Sequence, residues 1–214
     1  MQNAAIQYLG LDLIYMAIPC KNEDLEIVVN SIKKMNCKGL NITIPFKQKV
    51  FDMCSEISPV AKKVKAINTL KLNDNKDWIG TNTDIDGFIY PLKNLNLIKK
   101  SSLILGSGGA ARSVIQGLIE LKLSKITIIS RKKNSLNELI TNFKNDIEIK
   151  GLLSTNNEIK NLIQETDLII NTTPVGMSNT TNNDELPFGQ GFWDSINSKT
   201  IVYDLIYNPS PTPF

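Results

Sequence analysis

The sequence predicts a two-domain α/β protein, in which a doubly wound parallel sheet forms the second half and a smaller α/β domain precedes it. From Ser102 onward, short apolar runs alternate with amphipathic segments, which is typical of strands and helices in a parallel sheet. A glycine-rich segment, Gly106–Gly109, directly follows the first of these runs. With 214 residues, 42% of them hydrophobic, the chain can bury a substantial core. We predict domains at residues 1–97 and 98–214.

The first half contains short elements separated by polar turns. Its second helix is amphipathic, because Leu25, Val28, Val29 and Ile32 recur at helical spacing. A later turn rich in Asn and Asp predicts a hairpin. Pro91 falls inside the last helical pattern, so we expect it to kink that helix or end it early. The predicted elements are a helix at 2–10, a strand at 13–18, a helix at 23–35, a strand at 40–44, helices at 46–54 and 59–65, a hairpin at 67–80 and a helix at 85–94.

The second half alternates regularly between strands and helices. This order favours a parallel sheet, because parallel strands need a crossover connection that is usually a helix. The predicted strands are at 102–106, 125–130, 147–152, 167–171 and 199–206, and the helices are at 109–121, 134–144 and 157–165.

Composition excludes several classes of function. The net charge of +3 without a long basic run argues against nucleic acid and anionic membranes as partners. No apolar run reaches the roughly 18 residues of a membrane span, and the N-terminus lacks a signal-peptide pattern. The three cysteines, odd in number and without a CxxC motif, indicate reduced thiols in a cytoplasmic protein. The absence of histidine excludes histidine-based triads and histidine-ligated zinc, and we predict no metal site.

The segment NITIPFK, Asn41–Lys47, combines a strand with polar side chains. Asn41 and Thr43 alternate with apolar residues and therefore share one face of the strand. Pro45 ends the strand and suits the first turn of a helix, which places Lys47 just beyond the strand end. Open α/β sheets bind ligands at such strand ends, so a polar site is one interpretation. An edge strand with a solvated polar face is an equally good one for this segment alone.

Two further segments have the same character. AINTL, residues 66–70, opens a strand with an amide, and NTDIDG, residues 82–87, follows a strand with a carboxylate. Each has an ordinary structural explanation, since Asn is a common turn former and an acid often opens a helix. Taken together, the three segments supply groups suited to a polyhydroxylated acid. These groups belong to Asn41, Thr43, Lys47, Asn68 and Asp84.

The segment Leu103–Arg112 has the strand and glycine loop of a Rossmann-type dinucleotide-binding turn. Gly106 permits the tight turn, Gly108 lets the backbone approach a pyrophosphate, and Ala111 occupies the third small position. The helix that follows directs its free N–H groups at the phosphates. The predicted loop contacts are Gly106, Ser107, Gly108, Gly109 and Ala110.

The end of the second strand in this half discriminates between nicotinamide cofactors. NAD sites usually place Asp or Glu there, whereas NADP sites offer a cation to the 2′-phosphate. Here the strand ends in Ser130, Arg131, Lys132 and Lys133, without an acid. A solvated basic loop is the alternative, but next to this glycine loop NADP is the better interpretation. The predicted contacts are Ser130, Arg131 and Lys132.

The sequence resembles the shikimate dehydrogenase family over essentially its whole length, with NITIPFK, AINTL and NTDIDG as the hallmark segments. The resemblance implies an NADP-dependent oxidoreductase that reversibly reduces 3-dehydroshikimate to shikimate, in the shikimate pathway to chorismate and aromatic amino acids. It implies that the first domain binds the small-molecule substrate, with Lys47 and Asp84 as the catalytic pair that handles the proton. We expect a cytoplasmic monomer or homodimer.

The resemblance also assigns residues late in the chain. The fragment Asn171–Met177 resembles the family's segment beside the nicotinamide, which implies cofactor contacts from Thr173 and Pro174. The closing strand and its loop match the family too, which places Leu205 near the cofactor and the Tyr207 hydroxyl near the substrate. An aromatic ring packed at a strand end is an equally good interpretation of Tyr207.

The sequence departs from the family pattern at both ends. We expect that a first strand with two substrate-binding serines is missing before Met1, and that a glycine-rich loop and terminal helices are missing after Phe214. Ser135 stands near the place of a second phosphate-binding arginine, for which Lys132 or Lys133 could compensate. Two alternatives therefore stay open: a quinate/shikimate dehydrogenase that uses NAD, and a truncated, non-catalytic remnant that binds nucleotide.

Overall fold

The computed structural model describes residues 1–35, 37–156, 158–178, 186–188, 190–194 and 196–214. The chain forms two compact units, Met1–Lys38 and Gly39–Phe214. The first unit contains helices α1 (Gln2–Tyr8) and α2 (Leu25–Lys34). α2 buries Leu25 and Val29, in agreement with its predicted apolar stripe.

The predicted strand at 13–18 is wrong, since the structure assigns no strand to these residues. The side-chain amide of Asn3 forms hydrogen bonds with the backbone of this segment at Tyr15. Its oxygen accepts from the Tyr15 N–H at 2.7 Å, and its nitrogen donates to the Tyr15 carbonyl at 2.9 Å. The two groups that a strand would offer to a neighbour at this residue are therefore used locally.

The second unit begins with a small mixed sheet in the order β1-β3-β4-β2. The pairs β1–β3 and β3–β4 are antiparallel, and β2–β4 is parallel. The β3–β4 pair confirms the predicted hairpin. Ser58 caps the first helix of this part by accepting from the Ala61 N–H at 3.3 Å. The elements are β1 (Gly39–Asn41), β2 (Glu56–Ile57), α3 (Pro59–Val64), β3 (Thr69–Leu72), β4 (Trp78–Thr81) and α4 (Asp84–Ile89).

Three details of this part differ from the predictions or refine them. The first strand ends at Asn41, and the predicted helix at 46–54 is a turn followed by a 3₁₀ helix at Lys49–Met53. The reason is visible in bonds such as Lys49 N–H to Phe46 O at 2.9 Å, which span three residues rather than four. α4 ends at Ile89 before a 3₁₀ turn that contains Pro91, which confirms the expected early end.

The remainder is a five-stranded, fully parallel sheet in the order β7-β6-β5-β8-β9. The predicted α/β fold is confirmed, although β2 and the short helix α8 were not predicted. The elements are β5 (Ser101–Leu105), α5 (Gly109–Glu120), β6 (Lys125–Ser130), α6 (Lys133–Phe143), β7 (Glu148–Leu153), α7 (Ile159–Gln164), β8 (Leu168–Asn171), α8 (Gln190–Trp193) and β9 (Ile201–Asp204).

Both faces of this sheet are buried, as expected for parallel strands. Ile104 of β5 faces a large cluster that includes Phe88 of α4, whereas Leu103 and Leu105 face a smaller one. α4 packs closely on α5, since a Cβ added at Gly117 would lie 2.6 Å from Cδ1 of Phe88. The segment that begins at Asp84 is thereby fixed against the helix that follows the glycine loop.

The strand order reverses between β5 and β8, and the loops that follow these two strands lie side by side. Such a switch point is where open parallel sheets bind their ligands. Helices α3 and α4 share one core cluster with the large sheet, and a domain boundary between residues 97 and 98 stays a prediction. Among the described residues, no helix is long and apolar enough to cross a membrane.

Candidate active site

Lys47 lies in the turn that follows β1, and its backbone is held firmly. Its carbonyl accepts from the Ile67 N–H at 2.7 Å, next to the start of β3. Val50, three residues further on, is fully buried and anchors the following 3₁₀ helix. The backbone of the lysine is therefore held by the segment that leads into β3.

Lys47 and Asp84, predicted from separate segments, form an ion pair. The Nζ atom lies 2.7 Å from Oδ2 of Asp84, and the two side chains are 14% and 32% exposed. Asp84 is the first residue of α4, where a carboxylate is stabilised by the helix dipole. Its own N–H donates to Oδ1 of Asn82 at 3.0 Å, which fixes the start of the helix.

Asn68 orients the second oxygen of the carboxylate. Its Nδ2 donates to Oδ1 of Asp84 at 2.7 Å and to Oγ1 of Thr83 at 3.0 Å. Its Oδ1 accepts from the Thr83 N–H at 3.0 Å and from Oγ1 of Thr69 at 2.9 Å. The structure thus joins Asn68 to the pair, and the amide is saturated by protein groups.

The other two residues predicted from the first half lie less deeply. Asn41, at the end of β1, has Nδ2 3.5 Å from Oγ1 of Thr69, so it reaches the network of Asn68 through a long contact. Thr43 is exposed in the turn beyond the strand, and its carbonyl accepts from the Phe46 N–H at 2.9 Å.

A cavity of about 1020 Å³ opens at the switch point of the large sheet. Lys47 lines it together with the glycine loop and the loop after β8. Four of the lining residues are basic and one is acidic, so the cavity favours an anionic ligand. Of the predicted cofactor residues it gathers Gly106, Ser107, Gly108, Gly109, Ala110, Ser130, Arg131, Lys132, Thr173 and Pro174.

The glycine loop has the geometry that its sequence predicts. Gly106 has φ +107°, and a Cβ added there would lie 2.8 Å from Oγ1 of Thr172. A Cβ added at Gly108 would meet no atom within 4 Å. One glycine is therefore required by the backbone, whereas the other leaves open space in front of the first turn of α5.

Three serine hydroxyls connect the glycine loop to the basic end of β6. Oγ of Ser107 lies 2.7 Å from Oγ of both Ser130 and Ser135. Oγ of Ser130 also accepts from the Lys132 N–H at 3.1 Å. The exposed side chains of Arg131 and Lys132 stand at the rim of this cluster.

The two residues assigned from the closing strand lie elsewhere. Leu205 packs against the large core cluster, and its N–H donates to the Asn171 carbonyl at 3.2 Å. Tyr207 is 90% exposed, and neither residue lines the cavity. The structure therefore does not bring Leu205 and Tyr207 together with the other predicted site residues.

Cys54 is one of three free cysteines in the chain. Burial raises the pKa of Cys54 to about 11, which keeps this thiol protonated at neutral pH. Within the described part of the chain, no three His, Cys, Asp or Glu residues cluster as metal ligands would.

Two family models match the sequence. The shikimate dehydrogenase substrate binding domain matches residues 1–70, and shikimate / quinate 5-dehydrogenase matches residues 92–183. A shikimate dehydrogenase (NADP(+)) of Prochlorococcus marinus subsp. pastoris is 99% identical over 214 residues, which are 100% of this chain and 75% of that protein. The chain belongs to the shikimate dehydrogenase family.

Solved shikimate dehydrogenases share the fold. The enzyme of Aquifex aeolicus is 30% identical with a TM-score of 0.82, over 97% of this chain and 73% of that one. The enzyme of Listeria monocytogenes, crystallised with shikimate and NAD, is 27% identical with a TM-score of 0.83, over 99% of this chain and 74% of that one. The family resemblance predicted from the hallmark segments is confirmed.

Sequence reasoning missed one buried residue of the candidate site. Arg112, on the fourth residue of α5, lines the cavity with only 3% of its side chain exposed. The sequence feature that could have revealed Arg112 is a charge close to Ala111 and Val114, on the buried face of α5. A buried arginine is rare unless it is paired, so the position itself indicated a role.

Proposed function

We propose that the chain catalyses the NADP-dependent, reversible reduction of 3-dehydroshikimate to shikimate, the shikimate-pathway reaction of its family. The names of its relatives support the substrate and the cofactor. One observation supports the chemistry most strongly: Lys47, whose ammonium is ion-paired with Asp84, lines the cavity that contains the glycine loop.

The residues present fit NADP. The open space at Gly108 allows a pyrophosphate to approach the backbone, and α5, which begins at the next residue, has the free N–H groups of a helix N-terminus. Arg131 and Lys132, with the serine hydroxyls beside them, suit a 2′-phosphate. When bound, the cofactor would supply the hydride that reduces the ketone carbon.

Lys47 would provide the matching proton. Its ammonium donates to the ketone oxygen as negative charge develops there, and the neutral amine takes the proton back in the reverse direction. Asp84 holds the ammonium at 2.7 Å, and Asn68 holds Asp84, so the donor reaches the substrate already oriented. A proton donor fixed in this way lowers the entropic cost of reaching the transition state.

Asn41 and Thr43 are proposed to hold ring hydroxyls of the substrate, since both lie at the same end of β1 as Lys47. For Asn68, Leu205 and Tyr207, support for direct ligand contacts comes from the family resemblance alone. The cytoplasmic location and a monomeric or homodimeric state belong to the proposal as well. All three cysteines carry thiols, which is the state expected in a reducing compartment.

The proposal is tested with the purified chain, NADP and shikimate, by following the absorbance of the reduced nicotinamide. Lys47→Ala should lower kcat by about 10²–10⁴-fold, the usual contribution of general acid–base catalysis. The NADP dissociation constant should hardly change, because the glycine loop and the basic loop are intact. Asp84→Asn should also slow turnover, since it removes the charge that orients the ammonium.

Lys49→Ala is the matched control, because it removes a neighbouring exposed lysine from the same segment. It should keep parental kcat. Near-normal turnover in Lys47→Ala would contradict the assigned role of the lysine. Faster turnover of quinate with NAD would favour the quinate/shikimate alternative, and NADP binding without turnover would favour the non-catalytic one.

A further inference from the structure

Arg112 is a buried cation with an incomplete set of partners. NH2 donates to Oε1 of Glu138, on α6, at 2.5 Å, whereas NH1 is buried without a partner among the described residues. An apolar side chain of similar volume often stabilises a fold as well as a buried ion pair does, and without an orphaned donor. Stability alone therefore does not explain an arginine at this position.

The second partner of Arg112 is the residue next to the proton donor. With the amide of Gln48 oriented so that its oxygen faces the guanidinium, that oxygen accepts from Nε at 2.8 Å and from NH2 at 3.1 Å. The planar guanidinium fixes both direction and distance, which a lysine could not do. The contact joins α5 to the turn that carries Lys47.

The same turn touches α5 a second time. A Cβ added at Gly109, the first residue of the helix, would lie 3.8 Å from both Cβ and Cδ of Lys47. The side chain of Lys47 thus runs along the first turn of α5, where the nucleotide phosphates are expected. The backbone bond from Ile67 ties Lys47 to the small sheet, and Arg112 ties the adjoining residue to the nucleotide-binding helix.

We propose that Arg112 is a positioning residue, which holds the Lys47 turn against α5 through Gln48 and so sets the spacing between the proton donor and the bound cofactor. The inference rests on the proposed function of Lys47. It predicts that loss of the tie impairs turnover rather than cofactor binding, because a displacement near 1 Å of a reacting group is costly. Glu138 neutralises the buried cation through NH2.

The test compares Arg112→Met, Gln48→Ala and the double variant by steady-state kinetics. Arg112→Met should lower kcat by about 10- to 100-fold while KM for NADP stays within about twofold. Gln48→Ala should lower kcat by about two- to tenfold, the contribution of one hydrogen bond. The double variant should be no slower than Arg112→Met, since both changes remove the same tie.

Three results would overturn the inference: parental kcat in Arg112→Met, a raised KM for NADP at unchanged kcat, or multiplicative effects in the double variant. If Arg112→Met does not fold, the test rests on Gln48→Ala, which should fold because Gln48 is exposed. Unchanged kcat in Gln48→Ala then overturns the inference, and a lowered kcat supports it. Lys47→Ala is measured alongside. Normal turnover in that variant overturns the proposed function and this inference together, whereas slow Lys47→Ala with normal Arg112→Met overturns the inference alone.

Discussion

Gly106 and Gly108 stand two residues apart in the glycine loop, yet substitution by alanine should affect them in opposite ways. Gly106 has φ +107°, which alanine adopts only under strain. An alanine Cβ would lie 2.8 Å from Oγ1 of Thr172, which donates to the Leu105 carbonyl at 2.7 Å. Thr172 is buried, so its hydroxyl must move and lose that bond.

The cost of Gly106→Ala follows from three terms. The strained backbone costs about 1–3 kcal/mol, and the lost hydrogen bond costs about 0.5–1.5 kcal/mol. The reduced freedom of the unfolded chain returns about 0.4–1 kcal/mol. The free energy of unfolding should therefore fall by about 0.5–4 kcal/mol without any ligand present.

Gly108→Ala is the matched comparison. Its φ of −85° suits alanine, and the new methyl meets no protein atom within 4 Å. Stability should stay level or rise by up to about 1 kcal/mol. The methyl would instead occupy the space proposed for the pyrophosphate, and losing one charge-assisted contact of about 1.5–3 kcal/mol weakens NADP binding by about 10- to 100-fold.

Urea unfolding followed by circular dichroism measures the first effect, and titration calorimetry with NADP measures the second. A Gly106→Ala variant as stable as the parent would show that the strain is relieved elsewhere. A Gly108→Ala variant with the parental NADP dissociation constant would show that no phosphate lies over this residue, and would remove the main support for the cofactor site.

Two further predictions concern the large sheet. Arg131→Ala should raise the NADP dissociation constant about tenfold or more, because it removes a cation proposed to contact the 2′-phosphate. The NAD dissociation constant should rise much less. Equal weakening of NADP and NAD binding would count against NADP specificity. The Lys100 ammonium, followed by the Ser101 N–H, holds the pKa of Asp167 below its usual value of 3.8. Asp167→Asn should therefore lower the free energy of unfolding by about 1 kcal/mol at pH 7, a modest value because the pair is partly exposed. Because the pKa of Asp167 is lowered on folding, the parent's extra free energy of unfolding is present above about pH 4 and is lost as pH falls through the folded pKa. A difference between parent and variant that grows on acidification would refute this prediction.

The second half of the fold could be predicted because its signals are local. The strands β5, β6 and β8 are short apolar runs, and the helices between them have amphipathic spacing, so each element was found within a residue or two. The glycine loop was equally clear, since Gly106 is required by its own φ. The Lys47–Asp84 pair was predicted from the family resemblance, on two polar residues that each follow a strand.

The first half was harder to predict because its structure depends on contacts between residues that are far apart in the sequence. Segment 13–18 has the composition of a strand, but the side chain of Asn3 occupies its backbone at Tyr15. A strand exists only where a neighbour pairs with it, so propensity alone overestimated this one. The Arg112–Gln48 contact was hidden for the same reason, since 64 positions along the sequence separate two residues that touch.

The saturation of Asn68 constrains how the site can receive a substrate. Both hydrogens of its Nδ2 are used, one on Asp84 and one on the hydroxyl of Thr83, and its oxygen already accepts two bonds. A ring hydroxyl can therefore reach this amide only by exchanging with a present partner. The bond to Asp84, at 2.7 Å, orients the pair proposed to donate the proton, whereas Thr83 is exposed and bonds at 3.0 Å. Exchange at Thr83 would keep the pair intact, so a substrate hydroxyl that contacts Asn68 should arrive from the side of Thr83.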